Sequence, residues 1–276
     1  MRLLIATLLL TALPLAAQIP EGDQHWLARG EGQVNGKAKA QHIDAAIAAY
    51  SRAVAANPND LQARWKLLRA YRFKGAYVAG SNEEKKQVYT LAKKAGAEAI
   101  AVAEKQLGVK PKASDKDIAA AARKHPGAGE IYLWDAVNWG EWALAYGKMA
   151  AAREGAADRI RRGANIALLV DPRMENGNPA RVLGRLHDQT PSIPFITGWA
   201  SGKEGLRFLN DSLKIDPTNK ITIVFLAEAM VGEDSSAKPR AIAMLQKLIA
   251  SPIDPQYATE DAAAIRDAQA LLAKWK

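Results

Sequence analysis

The chain has 276 residues, 49% of them hydrophobic and 24% charged, with no cysteine and a formal charge of +9. That length holds one solenoid or two small domains with an ample core. The lack of cysteine excludes disulfides, thiolate metal sites and a cysteine nucleophile. The positive balance suits anionic partners such as acidic ligands, lipid headgroups or envelope polymers. Its charges are mixed rather than clustered, so a solubilising surface accounts for it as well.

Taken in chain order, residues 1–17 read as a signal peptide. Arg2 opens it, an apolar run covers 3–13, Pro14 breaks the run, and Leu15-Ala16-Ala17 is a small-residue cleavage site. The run is too short to span a bilayer. The other reading is a buried N-terminal helix. We expect an exported chain, periplasmic in a bacterium and soluble after cleavage near Ala17, and export argues against nucleic acid as a partner. Residues 18–36 read as an irregular lead-in because Gly30, Gly32 and Gly36 cluster there. No strand precedes these glycines, so they make no dinucleotide loop.

A single helical domain is predicted over 37–276. Its first helix, 38–57, carries Ala46, Tyr50 and Ala53, followed by Pro58. The small residues admit a neighbouring helix, the bulky one fills the gap, and the proline ends the helix. The spacing recurs at Gly205, Leu209, Ser212 and Pro217, and with an offset at Ile160, Ala164, Ala167 and Pro172. It is the second-helix half of a tetratricopeptide repeat. Leu67 and Tyr71 follow Pro58 by nine and thirteen residues, and Leu226 and Met230 follow Pro217 by the same intervals. The fold class is therefore all-α, a tetratricopeptide-like α-solenoid.

Further helices are predicted at Leu61–Phe73, at Asn82–Leu107 behind a Ser81-x-x-Glu84 capping box, and from Ser114 to before His125. Others follow at 130–150, 151–170, 178–188, 201–215, 219–231, 238–250 and 259–275. Irregular insertions are expected near 108–128 and in a proline loop at 189–200. In repeat proteins such insertions fall on one face, often the binding face.

No nucleophile elbow, phosphate loop or calcium loop occurs, and His25, His42, His125 and His187 lack metal-ligand spacing. The chain reads as non-enzymatic, with no metal and no cofactor. The helix at 130–150 holds three of the seven tryptophans, and Trp134, Asn138 and Trp142 share one of its faces. It reads either as a central core helix or as a wall for a small organic ligand whose polar end meets Asn138. Arg181 and Arg185 lie one turn apart behind Asn178. They read either as a solvated basic face or as a clamp for a carboxylate, with Asn178 capping the helix.

The segments YLWDAVNWGEWALAYGKM, IRRGANIALLVDP, NGNPARVLGRLHDQTPSIP, EGLRFLNDSLKIDPTN and VFLAEAMVGED, with the closing DAAAIRDAQALLAKW, occur in that order. This part of the chain resembles the T-component proteins of TRAP transporters. The resemblance implies a periplasmic helical-repeat protein that assists uptake of small organic acids or apolar solutes. It also implies docking to a solute-binding protein and assembly as a homo-oligomer. Two departures stand out. Gln18 follows the cleavage site where a lipoprotein needs cysteine, so no lipid anchor is expected, and the stretch 114–126 does not align. The alternative reading is a general periplasmic scaffold for protein–protein interaction with no solute pocket.

Overall fold

The computed structural model describes residues 18–275 except Phe195. The signal-peptide expectation for 1–17 lies outside the described residues. Thirteen α-helices and no strand occur among those described.

The helices stack as five antiparallel pairs and a cap. α1 (Gln18–Leu27) pairs with α2 (Ala40–Ala56), and α3 (Leu61–Phe73) with α4 (Asn82–Leu107). α6 (Ala128–Tyr146) pairs with α8 (Ala156–Val170), α9 (Met174–Gln189) with α10 (Gly202–Ile215), and α11 (Lys220–Glu233) with α12 (Lys238–Ile249). α13 (Ala258–Trp275) caps the last pair. Two short helices are inserted: α5 (Asp115–Ala122), which packs on α8, and α7 (Lys148–Arg153).

The repeat residues do what their spacing predicts. Ala46, Tyr50, Ala53, Ile160, Ala164, Ala167, Leu209 and Ser212 are all buried. Gly22 lies so close to Tyr50 that a Cβ there would enter the ring. Several turns are held by a side-chain cap that relieves the unpaired N–H groups of the next helix. Asp60 caps α3, Ser81 α4, Ser114 α5, Ser201 α10 and Asn219 α11.

Four differences from expectation have local causes. The lead-in begins with a helix, α1. Gly22 gives α2 its close approach to it. α3 continues into a π-helical turn at Lys74–Val78, with Gly75 beneath the Tyr89 ring. The apolar helix expected at 130–150 breaks at Gly147 (φ 90°) and resumes as α7, and α8 starts only after Gly155 (φ 64°). Within α9, Glu175, Asn176 and Gly177 are all left-handed, so regular helix begins only beyond them.

The array closes on itself. Ala263 of α13 joins the core of Ile43, Tyr50, Phe73 and Tyr77, which belongs to the first two pairs. The nearly buried Arg29, just after α1, donates to Glu260 Oε1 from Nε and Nη2 (3.1 and 2.8 Å) and to the carbonyls of Gln256 and Trp26. Arg266 donates to the carbonyl of Asn35.

Candidate functional site

Closure brings together the walls of a half-open cavity of about 560 Å³. α1 contributes Trp26. α3 contributes Arg69, Arg72 and Phe73, and α6 contributes Trp134. The left-handed turn contributes Glu175 and Asn176, and the helix behind it Asn178 and Arg181. The α10–α11 turn brings Asp216 and Pro217, and the C-terminal side Lys220, Asp254, Tyr257, Glu260 and Asp261.

The turn at Glu175–Gly177 sets one wall. Left-handed backbone at a residue other than glycine is strained. It is held here because Asn176 donates to the Tyr257 hydroxyl (3.1 Å), and Glu175 lies 3.5 Å from Arg69 Nη1. The Arg69 guanidinium lies over the rings of both Trp26 (3.9 Å) and Trp65 (4.6 Å). Burial pulls it below the ordinary arginine range, and its Nε has no partner among the described residues.

Most cations around the cavity are paired. Arg72 meets Glu141 (3.2 Å) and donates to the Tyr77 hydroxyl, while Lys220 meets Asp261 (3.2 Å) and donates to the carbonyl of Pro252. Arg181 differs. Its one hydrogen bond is a long one to Thr222 Oγ1 (3.3 Å), and no carboxylate of the described residues lies within 4.0 Å. Burial, with Arg72 nearby, pushes its guanidinium down to about 10, which leaves it charged at neutral pH.

The six residues singled out from the sequence are divided by the structure. Trp134, Asn178 and Arg181 line this cavity. Asn178 is buried, makes no side-chain hydrogen bond among the described residues, and does not cap α9. Asn138 is fully buried away from the cavity. Its Nδ2 donates to the carbonyls of Leu68 (3.0 Å) and Trp134 (2.8 Å), so it pins α6 to α3.

Trp142 belongs to another cluster, stacked on Tyr146 (4.6 Å) and edge-on to Trp139, with Lys93 Nζ 3.9 Å above it. The expected Arg181–Arg185 clamp does not form. Arg185 is taken up by Glu228 (2.7 Å) and Asp188 (3.0 Å) and lies over Phe225.

Sequence reasoning passed over Trp26, Arg69, Arg72, Lys220 and Tyr257. Arg69 and Arg72, three apart on a helix whose neighbours Leu68 and Phe73 are core, were the available signal. His25 and His42, distant in sequence, meet with their Nδ1 atoms 3.1 Å apart. No group of three or more metal-ligating side chains occurs among the described residues, and no described helix is long and apolar enough to cross a membrane.

No protein-family model matches the sequence, and no curated protein matches it. Solved structures do. A thermophilic TPR protein of Thermus thermophilus superposes with a TM-score of 0.54 at 15% identity, covering 95% of this chain and 98% of that one. The TPR2AB domain of yeast Sti1, solved in complex with pHSP90, reaches only 0.32 at 12% identity over the same shares, too distant to argue from. Stacked helix pairs, buried repeat residues and the first of these likenesses together give the chain a tetratricopeptide-type helical-repeat fold.

Proposed function

We propose that this is an exported, non-enzymatic helical-repeat protein of the T-component type, which holds a small organic acid in its inner cavity and docks a periplasmic solute-binding protein. Arg181 carries the reading: a half-buried cation lining the cavity with no carboxylate within 4.0 Å among the described residues. A ligand carboxylate would relieve it through a charge-assisted hydrogen bond. Trp26, Trp134 and Tyr257 supply the apolar wall that such a ligand needs. The order of the resembling segments and the signal-like leader support the placement in a transporter. Leu144 and Met149, each 72% exposed, support protein docking.

Thermal unfolding of the purified chain with millimolar hexanoate, benzoate and phenylacetate tests the solute half. The expected result is a saturable rise in Tm of several degrees for at least one acid, lost in Arg181→Gln and Trp134→Ala. No shift with any acid, together with capture of a protein partner from periplasmic extract, would favour the scaffold reading instead.

A further inference from the structure

We propose that the cavity selects organic acids carrying a single negative charge and turns away dianions. The proposal rests on the reading that the cavity takes an organic acid, and it follows from how the charges around the cavity are paired. Arg69 faces Glu175, Arg72 faces Glu141, Lys220 faces Asp261, and Arg29, behind the wall, faces Glu260. Only Arg181, of the cations lining the cavity, has no carboxylate within 4.0 Å among the described residues.

The carboxylates are not balanced in the same way. Asp216 and Asp254 also line the cavity, and neither has a cation within 4.0 Å among the described residues. Asp216 accepts only from the Thr218 N–H and hydroxyl and from Asn219, and Asp254 accepts from the Gln256 N–H. One ligand carboxylate therefore finds Arg181, with the unengaged Asn178 amide lining the same space. A second finds only cations that already face a carboxylate, Arg69 the most open of them, with its Nε unpartnered but Glu175 3.5 Å from its Nη1. That second carboxylate would be desolvated among Asp216, Asp254 and Glu175, and like charges at close range in a partly enclosed site repel strongly. The rest of the ligand meets Trp134, Trp26 and Tyr257, which suit an apolar body.

Calorimetric titration of the full chain at pH 7.5 with hexanoate, adipate and monomethyl adipate tests this. The last two share one skeleton and differ by one charge. Hexanoate and monomethyl adipate are expected to bind alike, and adipate about tenfold more weakly or worse. Arg181→Gln should abolish binding of both monoanions with unchanged circular dichroism. Arg181→Lys keeps the charge and should keep the preference at reduced affinity. Asp254→Asn should tighten adipate more than hexanoate and so narrow the gap.

Adipate binding as tightly as hexanoate, in an Arg181-dependent way, would overturn the charge selection and leave the organic-acid site standing. An adipate gap that survives Asp254→Asn and Asp216→Asn together would overturn the assignment of the repulsion to these carboxylates. If none of the three compounds binds, the underlying reading of the cavity as a solute site fails.

Discussion

Asp135 lies on α6 against Gly96 of α4, so close that a Cβ on that glycine would meet its Oδ1, which has no hydrogen-bond partner among the described residues. Burial pushes its carboxyl up to about 7, against a smaller opposing pull from Arg159. In the unfolded chain the same group titrates near ~4. The folded state is therefore favoured fully below that value and loses stability as the pH climbs towards 7. At pH 8 the loss is about 2–4 kcal/mol. Asp135→Asn should raise the urea midpoint at pH 8 and leave it nearly unchanged at pH 4, as read from paired denaturation curves. A pH-independent difference would reject the titration.

At this same scale the chain discloses the identity of candidate ligands but not their company. Arg181 and Arg185 share a helical face by spacing alone, yet Glu228 and Asp188 claim the second of them. Asn138 looks like a ligand amide until the carbonyls of Leu68 and Trp134 are placed around it.

At the scale of helices, legibility follows range. The spacing of Ala46, Tyr50, Ala53 and Pro58 is local, and so is the packing it encodes, so the pairs and their capped turns are readable from the chain. α1 escapes because Gly30, Gly32 and Gly36 mark the whole stretch 18–36 as irregular, and only the Tyr50 ring across the interface explains Gly22. Gly22→Ala should force the two helices apart and cost about 1–3 kcal/mol, as overpacked interfaces generally do. Chemical denaturation measures the loss, and Tyr50→Leu in the same chain should recover part of it by making room. The left-handed run at Glu175–Gly177 is partly non-local in origin. Asn176-Gly177 favours left-handed backbone locally, but Glu175 does not, and Arg69 and Tyr257, far apart in sequence, hold the run.

For the whole molecule, the closing contact is the feature that gives a stack of pairs a shared cavity. The cavity draws residues from Trp26 to Asp261, so no window of sequence contains it. Arg29 and Glu260 are nearly buried, at 3% and 13% exposure, and removing one partner of such a pair costs about 3–5 kcal/mol. Arg29→Glu should lower stability and widen the molecule, as measured by small-angle X-ray scattering. The exchange Arg29→Glu with Glu260→Arg should recover much of both. A compact Arg29→Glu chain would show that the apolar seam around Ala263 holds the ends together without the ion pair.

That contact also bears on how the chain acquires its structure. Helix pairs built from near neighbours in sequence, stacked on adjacent pairs, form early. The Arg29–Glu260 bond joins residues 231 apart. Its formation carries a loop-closure cost that none of the stacked pairs shares. It is therefore expected to form last, after every pair is in place, and a chain lacking its final helix would have five pairs and a cavity without the wall that Glu260 and Asp261 supply.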